Sequence, residues 1–190
     1  MLIQCVNWGR SLARSGRSHA VLLTAALAVQ SAGAADFRAL NFDASCDGVT
    51  ERETALGSRP YEGKLPSGYQ LAFRGRELDR EVVIGYSCRD GKFFRGAYIF
   101  DAEDGDDATR LYGALKKRVT SELGAPYYDF ASAEHRRKMT EVGATLSRTD
   151  TQVAFWKNDK YEAHASVAEP SKDRGWRVSL SYTALSALEE

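Results

Sequence analysis

From Phe37 to Phe42 apolar and polar residues alternate, which predicts a half-buried strand. Thr50-Glu51-Arg52-Glu53 then has the spacing of a capping box, with Thr50 as N-cap and Glu53 reaching back to it. Leu56-Gly57 followed by Pro60 stops the short helix so started, and residues 60–68, with two prolines and two glycines, read as loop. Tyr69 to Phe73 predicts a strand with Tyr69, Leu71 and Phe73 on one face, followed by a charged connection from Arg74 to Arg80. Glu81 to Ser87 is denser in apolar residues, and Val82-Val83-Ile84 predicts a strand covered on both faces or near the centre of a sheet. Asp90-Gly91 is a two-residue hairpin turn, and Phe93 to Phe100 returns as the partner strand, with Gly96 marking a bulge or a close neighbour.

The clearest periodicity comes next. Ala108, Leu111, Tyr112, Leu115, Val119 and Leu123 recur at the spacing of one buried helical face. The helix is expected to begin at Asp106 or Asp107, whose carboxylates suit a helix N-terminus, and to end at Gly124 and Pro126. Residues 127–148 are poorly patterned: Ser132 to Val142 reads as a weak helix, and Ala144 to Ser147 as the start of a strand. Thr151 to Lys157, Tyr161 to Val167 and Trp176 to Tyr182 read as three antiparallel strands, separated by Asn158-Asp159 and a Pro170 to Gly175 loop. The sum is an α+β fold: an antiparallel β-sheet with one long amphipathic helix packed on one face. A short helix ending Leu56-Gly57 and a long one ending Leu123-Gly124 each precede a run of strands. That echo fits two tandem helix-plus-strands units, and it fits the shared chemistry of helix stops.

The chain ahead of Phe37 has a different character. Arg10, Arg14 and Arg17 precede an apolar run from Ala20 to Val29 that is too short to span a bilayer. It closes on Ala32-Gly33-Ala34, the small-x-small pattern of a secretory signal. The expected organisation is therefore a signal peptide over residues 1–34, cleaved between Ala34 and Ala35, and a single α+β domain over residues 35–190. No cysteine stands directly after the apolar run and no Arg-Arg pair precedes it, which argues against lipidation and twin-arginine export. The expected product is soluble, periplasmic or secreted, with no membrane span after signal removal.

The 190 residues hold 26 basic and 26 acidic side chains, and the leader carries three basic residues and no acidic one. The remaining chain is slightly acidic, which gives no electrostatic reason to expect nucleic acid or anionic lipid. Cys5 leaves with the leader, so Cys46 and Cys88 remain, and in an oxidising compartment they predict one disulfide.

Candidate chemistry is sparse. His135 and His164 stand far apart, and no cluster of His, Cys or carboxylates has metal-ligand spacing. The acidic run from Asp101 to Asp107 lacks the calcium-loop pattern, since the twelfth position counted from Asp101 is Tyr112. No nucleophile elbow, phosphate loop or dinucleotide fingerprint occurs. His135 beside Arg136, Arg137 and Lys138 forms the one basic cluster, suited to an acidic partner or to a solvated helix face. The strand aromatics, from Tyr69 to Tyr182, serve either the core or an aromatic sheet face that binds a partner. No catalytic, cofactor-binding or metal residue is assigned.

Asp90-Gly91-Lys92-Phe93, the Gly96 to Phe100 strand, the Tyr112 to Leu123 helix closed by Gly124-Ala125-Pro126, Trp156 and the Val178 to Tyr182 strand form a familiar order. It resembles a broad group of small exported bacterial proteins of unassigned activity, in which a helix ending LG-x-P precedes antiparallel strands. It is more distantly similar to the tandem helix-plus-sheet modules of the outer-membrane assembly lipoproteins and of β-lactamase-inhibitor-like proteins, although the lipidated cysteine of the former is absent. The resemblance brings no catalytic residues or cofactor. The expected function is a non-enzymatic binding protein with an unknown protein or small-molecule partner. The alternatives are a hydrolase or other enzyme assembled from distant residues, and a small-ligand carrier with an apolar cavity between helix and sheet.

Overall fold

In the computed structural model the described residues are 36–38, 40–131, 150–172 and 174–188. The leader and its cleavage site at Ala34 and Ala35, the weak helix and strand expected over Ser132 to Ser147, and His135 with its basic neighbours all lie outside them. Among the described residues two α-helices, α1 (Asp47–Ala55) and α2 (Gly105–Leu123), and a short 3-10 turn at Leu185–Ala187 accompany eight strands. These are β1 (Arg59–Pro60), β2 (Leu71–Glu77), β3 (Arg80–Arg89), β4 (Lys92–Ala102), β5 (Tyr128–Ala131), β6 (Asp150–Lys157), β7 (Tyr161–Ala168) and β8 (Trp176–Ala184). They form one antiparallel sheet in the order β1-β2-β3-β4-β8-β7-β6-β5. Each helix is thus followed by a four-stranded meander, and the last strands of the two meanders, β4 and β8, pair at the centre.

Strand alternation sorts the side chains into two sets. Ile84, Tyr98, Phe100, Leu180, Val178, Ala165 and Val167 face one another in register and belong to one core with Ala108, Leu111, Tyr112, Leu115 and Val119 of α2. Val49 of α1 and Phe37 join the same core. Phe37 lies flat where β4 has no side chain: a Cβ on Gly96 would fall inside its ring's van der Waals envelope. Gly96 is therefore the close-approach glycine, while the bulge sits beside it. Ser87 and Cys88 are opposite Arg95 and Phe93, which leaves Phe94 as the extra residue.

Several local expectations are corrected. Phe37 to Phe42 is not a strand: Phe37 and Leu40 exchange backbone hydrogen bonds of 2.9 and 2.8 Å across a tight turn in which Arg38 has φ +43°. The turn lets Phe37 reach the core and Arg38 reach Glu53. α1 starts at Asp47, three residues before the expected Thr50 cap, and has no side-chain cap. Its start is fixed instead by tertiary bonds, since Cys46 is disulfide-bonded to Cys88 and donates its amide to the Gly91 carbonyl at 2.8 Å. Arg74 to Glu77 is strand rather than connection, and the hairpin turns on Leu78-Asp79, with φ of +49° and +58°. Asp90-Gly91 turns the next hairpin the same way, at +51° and +73°, as Asp-Gly permits. α2 is capped by Asp104 rather than Asp106 or Asp107: the Asp107 amide donates to its carboxylate at 2.7 Å. The aromatics divide unevenly, for Phe73, Tyr86, Phe93, Tyr98, Phe100, Trp156 and Tyr182 all belong to the core that α2 residues join.

Candidate functional site

The opposite set of strand positions is built differently. Across five neighbouring strands Phe155, His164, Ser181, Ala97 and Gly85 stand in one row. A second row runs Glu162, Thr183, Arg95 and Ser87, and a third Val153, Ser166, Ser179, Ile99 and Val83. The middle of this second face is small and hydroxylic, and Ser166 and Ser179 share a hydrogen bond of 3.0 Å. One flank is aromatic: Phe155 stacks on His164 with ring centroids 4.4 Å apart and planes within 4°, and Tyr128 meets Phe155 edge-on at 5.5 Å. On the other flank the Arg95 guanidinium lies over the Tyr69 ring, 5.1 Å from its centroid. Tyr69 does not share a face with Phe73 as expected. It lies over Gly85, where an added Cβ would stand 2.7 Å from its ring.

Arg95 and His164 project from β4 and β7, the two strands flanking β8. The Nε of Arg95 and the Nε2 of His164 are both buried without a hydrogen-bond partner among the described residues. Arg95 makes no ion pair with any carboxylate among the described residues. Glu162, the carboxylate of the same row, instead accepts from the Tyr127 hydroxyl at 2.7 Å. Burial, and then the Arg95 charge, push the His164 imidazole down to about 4, so the ring is neutral near pH 7. Burial raises the Tyr69 phenol, with Arg95 opposing. Two further atoms buried without a partner among the described residues, the Tyr112 hydroxyl and Trp156 Nε1, belong to the core cluster.

The other candidates have structural partners. Cys46 and Cys88 are bonded, with Cα atoms 6.3 Å apart, and join the start of α1 to the end of β3. Within the acidic run Asp104 caps α2, Asp101 lies 3.4 Å from Arg177, and Asp107 takes a bidentate pair from Arg80 at 2.8 and 2.9 Å. Among the described residues no three His, Cys, Asp or Glu side chains are grouped to hold a metal. Among the described residues no carboxylate is bonded to His164 for acid–base work. Arg95 was not singled out by sequence. Its only signal there is a cation within the apolar run from Phe93 to Phe100.

A polar network that sequence reasoning also missed holds the first half together. Glu53 is fully buried and takes Arg38 at 2.7 and 3.1 Å, together with the Tyr86 hydroxyl. Arg38 continues to the Ser58 hydroxyl at 3.2 Å and approaches Glu77, which pairs with Arg118 of α2. Burial, then the bond to Glu53, pushes the Tyr86 phenol far up. Comparison with protein-family models, curated proteins and solved structures gives no match.

Proposed function

We propose that this chain is an exported, non-enzymatic binding protein whose second sheet face accepts an acidic group of its partner. In this reading the long helix covers one face of the sheet, the two helix-plus-four-strand halves are tandem units, and recognition is assigned to the Arg95 and His164 region of the other face, whose small central residues are themselves buried. The observation that carries it is the pair of orphaned polar atoms, Arg95 Nε and His164 Nε2, buried on one face where no carboxylate among the described residues pairs with the guanidinium. A buried donor without a partner costs about 1–3 kcal/mol, and an incoming carboxylate would recover that cost with a charge-assisted bond. The absence of an orienting carboxylate at His164 favours binding over hydrolysis among the described residues. The resemblance to inhibitor-like tandem modules points the same way, and the Cys46–Cys88 bond suits an oxidising compartment, in keeping with the leader.

Titration with an acidic tetrapeptide, blocked at both ends and followed by NMR of the histidine ring and arginine side chains, tests the reading. The expected result is a saturable response at Arg95 and His164 that weakens at least tenfold in Arg95→Gln, with the melting transition unchanged. A response that persists in Arg95→Gln, or that falls on helix-side residues instead, overturns it.

A further inference from the structure

A cavity of about 530 Å³ opens between the C-terminal half of α2 and the segment Asp36 to Arg38. Its charged lining is two guanidiniums, Arg38 and Arg118, and two carboxylates, Asp36 and Glu122, so its formal charges cancel. Each guanidinium is also compensated at close range. Glu53 takes Arg38 at 2.7 Å, and Arg118 bonds Glu122 at 3.1 Å and Glu77 as well. A charged ligand would have to break one of these pairs or enter without a counter-charge, so the cavity suits a neutral one.

Neutral is not apolar here. Arg118 uses Nε and Nη1, and its Nη2 is spare among the described residues. Glu122 accepts that bond through Oε1 and keeps Oε2. Asp36 accepts the Phe42 amide through Oδ2 at 3.0 Å, while its Oδ1 stands 3.8 Å from Lys160, beyond a hydrogen bond. Asn158 accepts two amides through Oδ1, at 2.8 and 2.9 Å, and its Nδ2 gives no bond among the described residues. Tyr98 of β4, Tyr161 of β7 and Tyr182 of β8 complete the lining. Among the described residues their hydroxyls have no carboxylate partner of the kind that Tyr86 finds in Glu53 and Tyr127 in Glu162.

Spare donors and spare acceptors are thus interleaved around one neutral space. A hydroxyl group meets both kinds, since it donates once and accepts twice, and tyrosine rings offer an apolar body beside a polar tip. We propose that this cavity binds a small neutral saccharide, with hydroxyls on Arg118, Glu122, Asp36 and Asn158 and its C–H face against Tyr161 and Tyr182. Ligand pockets run from about 300 to 1,000 Å³, and this volume lies within that range. The site is separate from the Arg95 and His164 region, because strand alternation puts Tyr98 and Arg95 on opposite faces of β4, and Tyr161 and His164 on opposite faces of β7.

A pool of neutral monosaccharides and a pool of neutral disaccharides, each screened against the purified full chain by saturation-transfer NMR, test this. At least one pool is expected to give a saturable response, and calorimetry then measures its best member. That sugar should bind equally at low and high salt, and at least threefold more tightly than its analogues carrying an amine or a carboxylate. Tyr161→Ala should weaken it at least tenfold. Glu122→Ala, at a position 44% exposed, is the second variant should Tyr161→Ala melt early, with a threefold or greater loss expected. Arg95→Gln should bind as the native chain does. No saturable response from either pool, tighter binding of a charged analogue, unchanged binding in Tyr161→Ala and Glu122→Ala, or loss of binding in Arg95→Gln overturns the proposal.

Discussion

Glu53 shows how one side chain can satisfy a local rule and serve another purpose. Its spacing from Thr50 is that of a capping box, but helix α1 begins earlier and the carboxylate turns inward to Arg38 and Tyr86. A buried carboxylate follows the nearest guanidinium rather than a free backbone amide, and Arg38 is distant in sequence, so its arrival was not legible. Arg95 was hidden for a related reason: alternation assigns a strand residue to a face but says nothing of whether a counter-charge waits there. His164 gives a sharp prediction at this scale. Its folded value of about 4 lies below the ordinary 6.5, so the unfolded chain takes up more protons between those values. Stability is complete above about pH 6.5 and is lost as pH falls towards 4, by on the order of 3 kcal/mol. Asp107 adds its own loss only below the ordinary carboxylate value of 3.8, because the Arg80 bonds and then the Glu103 amide lower it. Urea denaturation at pH 7 and pH 4.5 checks this. His164→Phe should lose much less stability than the native chain across that interval, and an equal loss would assign the effect elsewhere.

Among the elements, those whose boundaries rest on local chemistry were legible: the Asp90-Gly91 hairpin, the apolar face of α2 and the Asn158-Asp159 turn. Asn158 Oδ1 accepts the amides of Lys160 and Tyr161 at 2.8 and 2.9 Å, which is why that turn reads so plainly. Leu78-Asp79 makes a turn with two positive φ values from a pair that does not advertise it, so β2 and β3 appeared shorter than they are. The Phe37 to Phe42 segment failed as a strand because its alternation serves an insertion and a turn. That insertion depends on Gly96. Gly96→Val should cost about 1–3 kcal/mol by overpacking, loosening the segment that carries Arg38. The cost is read by denaturant unfolding, and faster proteolysis near Asn41 should accompany it. A variant as stable as the native chain would mean that the Phe37 ring is not seated there.

For the whole molecule, the sequence echo is matched by helix-plus-four-strand order in both halves. Three strands per half were readable. The fourth in each, β1 and β5, has only two and four residues, too few to set a period. The halves are joined along β4 and β8, paired from Arg95–Thr183 to Ala102–Trp176. α2, which opens the second half, also touches β4 of the first. Those shared contacts predict one cooperative transition, with far-ultraviolet and near-ultraviolet dichroism melting together, whereas two separated transitions would mean that the halves fold independently. The two outermost strands carry a further consequence. A wide antiparallel sheet is a template on which another chain can add, and its danger lies in the length of its free edges. Among the described residues one edge strand is two residues long and ends in Pro60, which has no amide hydrogen to offer, and the other is four. The same brevity that hid these strands from the sequence pattern makes the sheet a poor seed for stacking copies edge to edge, so a concentrated solution of the native protein gains little from lateral growth.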